Sequence, residues 1–211
     1  MKILAYTFLG IGLLVLAWAG ISAWLERGVK EPSYTVGRKG NGYEVRNYES
    51  YLLAEARIPP GVDDPLREGF RMLFDYISGA NAGSRKIKMT APVLKEGKPA
   101  EKIPMTKPVL RLNEPKGSVV SFVLPAEYTL QTAPLPENPG IQIREISSRR
   151  VAVIRFSGYA NDEVIDKQSK RLVSFLARDG LKTKGSFMAA YYNPPWTPPF
   201  MRRNEVMVDL E

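Results

Sequence analysis

The amino-acid sequence predicts an α+β fold. The domain would consist of two β-β-α-β-β halves related by a pseudo-two-fold axis. Their antiparallel sheets would form a distorted barrel with two helices, and a transmembrane helix would precede the domain at the N-terminus. Residues 43–58 alternate like two short strands around a turn and precede a helical pattern, and residues 141–156 repeat this order. Val45 and Ile143 lie at matching places in the two segments. Such repetition indicates an internal duplication. A third observation, a long uncharged N-terminal segment, predicts the transmembrane helix.

The N-terminal segment has the length and composition of a membrane span. Residues 3–25 carry no charged side chain. At about 1.5 Å per residue, a helix of this length covers the roughly 30 Å hydrocarbon core of a bilayer. Trp18 and Trp24 lie where an aromatic belt is expected, while the small-x-small pattern of 17–19 leaves a cleaved signal peptide as the alternative. The prediction is an anchor or signal peptide at 1–27, giving a single-pass membrane protein with an exported soluble domain.

After the anchor, the sequence predicts a linker at 28–42 and one folded domain at 43–211. The first helix of this domain has clear boundaries, because Asp64 is a good N-cap, Pro65 suits the first turn and Gly79 suits the C-terminal end. Apolar side chains recur along this helix at helical spacing. They are Leu66, Phe70, Leu73, Phe74 and Ile77.

Composition excludes several classes of function. The chain contains neither cysteine nor histidine, which removes disulfides, the usual zinc, copper and iron–sulfur ligand sets, and Cys–His or Ser–His nucleophile pairs. The net charge of +8 suits an anionic partner. Because the basic residues are scattered and are not interleaved with aromatic residues, no nucleic-acid partner is predicted. No catalytic constellation is found, and the chain is not predicted to be an enzyme.

One short segment occurs twice. "KIKMTAPVL" at 86–94 is followed by "KIPMTKPVL" at 102–110. If these segments are extended, Met89 and Met105 occupy equivalent positions on one side of each copy. The methionines either fill the core or form a soft wall for a flat apolar ligand.

The first helix also carries candidate binding residues. Phe70 and Phe74 lie beside Arg67 and Arg71 on the helical wheel. This arrangement predicts an apolar wall with a cationic rim, which suits a flat ligand with carboxylates at one edge. The alternative is that the apolar stripe packs on the sheet and the arginines extend into water.

Two segments near the C-terminus leave similar alternatives open. The loop "YYNPPWTPPF" is stiffened by four prolines and carries Trp196, which either contacts a ligand or belongs to a structural lid. In "RRNEV", Arg202 and Arg203 either bind ligand carboxylates or, in the case of Arg203 with Glu205, form ion pairs that stabilise the fold.

Seven motifs taken together resemble the SOUL family of haem-binding proteins. In order, they are "YEVRNY", "YISGAN", "KIKMTAPV", "FVLP", "FSGY", "YYNPPWTPP" and "RRNEV". The resemblance runs from about residue 43 to the end. It implies a pseudo-symmetric α+β barrel that binds haem or a related tetrapyrrole in a hydrophobic cleft between the first helix and the Pro-rich loop. The predicted binding residues are Arg67, Phe70, Arg71, Phe74, Met89 and Trp196.

One position departs from the family pattern. Asn47 stands where some members have a histidine proposed as an axial ligand of the iron, so only Met or Tyr could coordinate iron here. The predicted function is therefore weak, non-covalent tetrapyrrole binding without His ligation, by a membrane-tethered carrier or buffer. The alternative is a sensor or partner-binding barrel for another amphipathic small molecule.

Overall fold

The computed structural model describes residues 2–25, 27–82 and 100–211. Its helices are α1 (Lys2–Leu25), α2 (Pro65–Ser78) and α3 (Asp162–Arg178), with a short 3₁₀ helix at Pro199–Met201. Its strands are β1 (Tyr34–Lys39), β2 (Glu44–Tyr48), β3 (Tyr51–Ile58), β4 (Asn81–Ala82), β5 (Val109–Glu114), β6 (Gly117–Val123), β7 (Leu135–Pro136), β8 (Ile141–Ile146), β9 (Arg149–Phe156), β10 (Thr183–Tyr191) and β11 (Asn204–Leu210). The α+β class is confirmed, and so are the two strands predicted in each of the segments 43–58 and 141–156.

Nine of these strands form one antiparallel sheet in the order β1-β2-β9-β11-β10-β5-β6-β3-β8, while β4 pairs with β7. The sheet is strongly curled. Six strands separate β2 from β8 in this order, yet Tyr48 of β2 and Ile146 of β8 share one buried cluster. Arg149 of β9 likewise donates a 2.5 Å hydrogen bond to the hydroxyl of Tyr51 in the distant β3. The predicted distorted barrel is therefore a half-barrel whose edges are β1 and β8.

Helices α2 and α3 cover the same face of the sheet. Helix α2 packs on β3 and β6, and α3 packs on β9, β10 and β11. Along β10, Phe187 packs in the cluster under α3 and Tyr191 packs in the cluster under α2. The intervening Met188 and Ala190 belong to the cluster on the opposite, concave face. The strand alternation thus separates a helix-covered face from a concave face.

Helix α2 begins and ends as its sequence predicts. The side chain of Asp64 accepts a 3.0 Å hydrogen bond from the backbone N–H of Arg67, and Pro65 is the first helical residue. Gly79 ends the helix with a φ of 127°, in the region that favours glycine. These boundaries fix which side chains of α2 face the sheet.

The prediction of an N-terminal membrane anchor is wrong. Within the described parts of the chain, no helix combines the length and the apolarity that a membrane crossing requires. Residues in the C-terminal half of α1 also contact the rest of the protein. Ser22 is buried, and the indole of Trp18 donates a 2.8 Å hydrogen bond to the backbone carbonyl of Trp196. The localisation built on the anchor, a single-pass membrane protein with an exported domain, is withdrawn with it.

Two other sequence predictions concern segments near the domain. Strand β1 lies inside the stretch 28–42 for which a linker was predicted. The first copy of the repeated segment, with Met89, lies outside the described residues. In the second copy, the backbone N–H of Ile103 donates to the carbonyl of Ile77 at 2.8 Å, which places this copy against the end of α2.

Candidate functional site

The exposed face of α2 carries a pair of stacked aromatic rings. The rings of Phe70 and Phe74 are 6.0 Å apart with an interplanar angle of 12°. They are 36% and 48% exposed, respectively. The ring of Phe70 also contacts the buried Phe122 of β6 edge-on, at 5.2 Å between centroids. The pair is therefore anchored to the core on one side and open to solvent on the other.

The close packing of α2 on the sheet explains why these rings stay at the surface. The buried side of the helix consists of Gly69, Leu73, Tyr76 and Ile77. Gly69 lies so close to β6 that an added Cβ would be 2.5 Å from the Cβ of Val120. The buried stripe therefore centres on Gly69 and Leu73, and Phe70 and Phe74 lie at its edge.

The two predicted rim arginines differ in their partners. Arg71 donates hydrogen bonds of 2.6 and 3.3 Å to Glu68 and lies 4.0 Å from Asp75. These hydrogen bonds lower the pKa of Glu68. The guanidinium of Arg67 is exposed and forms no hydrogen bond or ion pair with any residue that the structure describes. Arg67, one turn before Phe70, is thus the available cation of this face.

A partly buried tyrosine, Tyr191, lies in the strands beneath Phe70, and the sequence placed it in the Pro-rich loop segment and not beneath α2. Phe122 is the cross-strand partner of Val109, which is in turn the partner of Tyr191 at the end of β10. The hydroxyl of Tyr191 is buried and finds no hydrogen-bond partner among the described residues. Burial raises the pKa of Tyr191 to about 12, so the hydroxyl remains protonated at neutral pH. Only the strand register, which the sequence does not show, brings Tyr191 near the aromatic pair.

Trp196 is exposed in the Pro-rich loop, but it is not joined to the aromatic pair. Its side chain is 57% exposed, and in the described part of the chain its ring contacts neither Phe70 nor Phe74. Arg202 holds the loop by donating from Nε to the carbonyl of Thr197 at 2.8 Å. Of the six predicted binding residues, the structure brings Phe70, Phe74 and the two arginines of α2 together.

For Arg203 of "RRNEV", the structure supports the interpretation that its ion pairs stabilise the fold. Glu205 is fully buried and accepts hydrogen bonds from Arg46 (2.8 and 3.0 Å), Arg203 (3.0 Å) and Tyr192 (2.8 Å). Burial alone would raise the pKa of Glu205, but these hydrogen bonds and the two guanidinium charges lower it below its ordinary value. Arg203 also donates to Glu31 at 3.0 Å. It is therefore a structural partner and not a free ligand-binding cation.

None of the five described residues among the predicted binding residues lines either of two cavities in the structure. One cavity, of 420 Å³, is formed by residues 30–33, 49–52 and 123–131 together with Thr106 and Glu145. The other, of 360 Å³, lies beside β1 and β2. Across the described residues, no cluster of acidic side chains could hold a metal ion. Among the described residues, the candidate site is the exposed aromatic face of α2, and the predicted cleft between the first helix and the Pro-rich loop stays a prediction.

Solved structures with a similar backbone define the fold as a known α+β architecture. The C-terminal domain of EcmrR is 12% identical, has a TM-score of 0.51, and the match covers 84% of this chain and 98% of that domain. A hydrolase from Listeria innocua is 9% identical with a TM-score of 0.50, covering 83% of this chain and 94% of that one. At such low identity, these likenesses show the fold alone.

The chain belongs to the SOUL heme-binding protein family, whose model matches residues 29–209. Heme-binding protein 1 of Xenopus laevis is 29% identical over 171 residues, which cover 80% of this chain and 84% of that protein. Heme-binding protein 2 of Homo sapiens is 28% identical over 172 residues, covering 81% of this chain and 78% of that protein. The family resemblance read from the seven motifs is confirmed.

The position that departs from the family pattern lies on β2, which is not a neighbour of the strands under α2 in the sheet order. Asn47 is exposed on β2. Four strands separate β2 from β6, the strand that carries Phe122.

Proposed function

We propose that this protein binds haem or a related tetrapyrrole reversibly on the exposed face of α2, as a carrier or buffer. The observation that carries the proposal is the stacked, solvent-exposed pair of Phe70 and Phe74 beside Arg67, whose guanidinium has no partner among the described residues. Membership of the SOUL heme-binding protein family supports the choice of ligand. The name of that family refers to binding and not to a reaction, which agrees with a role other than that of an enzyme.

The chemistry of this face fits the ligand. A porphyrin is a flat apolar plate with two carboxylates at one edge, and offset stacking on aromatic rings suits such a plate. Arg67 is placed one and two turns before the two rings and can bind a carboxylate with two parallel hydrogen bonds. Arg71 is less available because Glu68 already occupies it.

The expected affinity is modest. Covering roughly 400 Å² of porphyrin at about 25 cal/mol/Å² yields about 10 kcal/mol. Association costs about 4 kcal/mol or more. The remainder corresponds to a Kd of tens of micromolar. Because the chain contains no His or Cys, the residues of α2 would hold the ring by its face and edge and not through a strong iron ligand.

The symmetric strand order supports an internal duplication as the origin of the fold. In the central part of the sheet, the series β10-β11-β9-β2 runs outward on one side and β5-β6-β3-β8 runs outward on the other. Helix α3 connects β9 to β10, as α2 precedes β5 after β3. Each half would thus contribute one helix, with the tetrapyrrole face on the first.

Optical titration of the full chain with ferric haem and with metal-free protoporphyrin tests the proposal. We expect saturable Soret changes for both ligands in the micromolar to tens-of-micromolar range, without the spectrum of a strongly His-ligated haem. The double variant Phe70→Ala/Phe74→Ala should bind both ligands at least about tenfold more weakly, because it loses the stacking surface.

Two arginine variants provide a matched comparison on the same helix face. Arg67→Gln should weaken binding by about three- to tenfold, the loss of one carboxylate contact, whereas Arg71→Gln should change it little. Absence of saturable binding by the unaltered chain would refute the proposed function. In that case, native mass spectrometry for a copurified amphipathic ligand tests the sensor alternative.

A further inference from the structure

A second, polar cleft lies on the concave face of the sheet, away from α2. It has a volume of 360 Å³ and lies where β1, β2 and β9 approach the residue before β11. Its charged lining residues are Lys39, Glu44, Arg46, Arg155 and Arg203. Cations thus outnumber carboxylates four to one in its wall.

The strand alternation places this cleft opposite the helices. Val45 and Ala152 pack in the cluster under α3. Their neighbours Arg46 and Val153 therefore point to the other face, and both line the cleft. The cleft and the aromatic face of α2 are consequently on opposite sides of the sheet, and the inference drawn from the cleft is independent of tetrapyrrole binding.

Arg46 binds both acidic side chains in its vicinity. It donates to Glu44 at 3.0 Å and to Glu205 at 2.8 and 3.0 Å. Its guanidinium also lies 4.5 Å from the centroid of the Tyr34 ring. Arg46 is therefore a fixed cation at the base of the cleft, with both neighbouring carboxylates turned toward it.

This use of the acids leaves two other cations of the cleft without partners. Lys39 is the direct cross-strand partner of Glu44, and Arg155 is the direct cross-strand partner of Glu205. Such opposite charges normally pair across strands. Here Arg46 holds both carboxylates. The exposed side chains of Lys39 and Arg155 form no ion pair or hydrogen bond with another described residue.

We propose that this cleft binds a phosphate group, with Lys39 and Arg155 as its direct ligands. The fork of an Arg guanidinium and the point charge of a Lys ammonium together match the several oxygens of a tetrahedral anion. Arg46 and Arg203 keep the floor of the cleft rigid, because Glu205 fixes both guanidiniums. Glu44, Glu205 and Glu31 balance the charges of these two arginines, so Lys39 and Arg155 supply the positive charge that attracts the anion. The volume leaves room for a small ester group, so a phosphate monoester is the expected ligand class.

Calorimetric titration of the full chain with inorganic phosphate and with glycerol 3-phosphate, at constant ionic strength in chloride buffer, tests the inference. We expect saturable one-to-one binding, weakened at least about tenfold in Lys39→Gln/Arg155→Gln. The control Arg150→Gln/Lys182→Gln removes two exposed cations from outside the cleft and should bind like the unaltered chain. Both pairs are exposed, so each variant should keep its thermal midpoint.

Three outcomes overturn the site. They are the absence of saturable binding, an equal loss of affinity in both double variants, and binding that disappears when the titration is repeated at a higher chloride concentration. A parallel arm with phosphatidylcholine vesicles that contain phosphatidic acid distinguishes the source of the phosphate. Binding to such vesicles that depends on Lys39 and Arg155 assigns the group to a lipid, and binding restricted to the soluble ligands assigns it to a solute.

Discussion

The buried carboxylate of Glu205 offers the sharpest test of the energetics of this fold. Glu205 is 0% exposed, and three residues donate four hydrogen bonds of 2.8–3.0 Å to it. Glu205→Gln keeps the shape of the side chain but removes its charge. The buried guanidinium of Arg46 would then keep only the partly exposed Glu44 as a counterion, while Arg203 would keep Glu31.

Removing one partner of a buried ion pair costs about 3–5 kcal/mol when the remaining charge is left uncompensated. Because Arg46 keeps Glu44 and Arg203 keeps Glu31, Glu205→Gln should cost about 3 kcal/mol, at the lower end of this range. A domain of this kind has a free energy of unfolding of about 5–15 kcal/mol, so this loss is large. Glu55→Gln is a matched control, since Glu55 is also buried on a strand and binds one arginine with two hydrogen bonds. That arginine, Arg144, has a side chain 58% exposed and would be solvated after the change, so Glu55→Gln should cost about 1–2 kcal/mol.

Urea unfolding monitored by tryptophan fluorescence measures both losses, and its pH dependence gives a second test. Because the folded pKa of Glu205 is lowered, its contribution to stability is fully present above the unfolded value of about 4.3 and is lost as the pH falls through the folded pKa. The unaltered chain should therefore lose stability more steeply below about pH 4 than Glu205→Gln does. Equal costs for Glu205→Gln and Glu55→Gln would refute the reasoning.

Three further changes test the packing beneath the aromatic face. Tyr191→Phe removes a buried hydroxyl that has no described partner, so the free energy of unfolding should stay the same or rise by up to about 1 kcal/mol. Tyr76→Phe removes a 2.8 Å hydrogen bond to a backbone carbonyl and should lower it by about 1 kcal/mol; equal losses in urea unfolding would contradict this contrast. Gly69→Ala should cost about 1–3 kcal/mol, because the new Cβ overlaps Val120, and the double variant with Val120→Ala should cost less than the sum of the two single changes. Strict additivity of the two changes would show that the close approach is not the cause.

Local patterns were enough to predict most secondary structure. Alternation predicted the strand pairs of 43–58 and 141–156, and the residues at each end predicted the bounds of α2. These signals act over a few neighbouring residues, so the sequence displays them directly. The N-terminal segment was misjudged because apolar length alone does not show what Trp18 and its neighbours contact.

The candidate site was predicted by residue type but not in its arrangement. Helical spacing correctly grouped Phe70 and Phe74 with the arginines. It did not show that Gly69 would let the helix approach β6 so closely, which decides that the rings remain exposed. The availability of Arg67 and the engagement of Arg71 also depend on side-chain conformations that spacing does not determine.

Long-range partners were beyond the reach of sequence reasoning. The ion pair of Arg46 and Glu205 joins residues that are 159 positions apart. The strand register shows which acids lie opposite Lys39 and Arg155, and the hydrogen bonds of Arg46 show that these acids are already engaged. Such contacts depend on which strands become neighbours, and no local pattern specifies this.

Among the strands that the structure describes, β1 and β8 each have one side without a strand partner. An exposed edge strand is a template for self-association, because its free backbone groups can pair with another chain. Here the edges carry the exposed charges of Arg38 and Lys39 on β1 and of Arg144 and Glu145 on β8, and the register of β1 shifts between Val36 and Arg38. Charge at both edges, together with the irregular register of β1, disfavours the addition of a strand from another molecule.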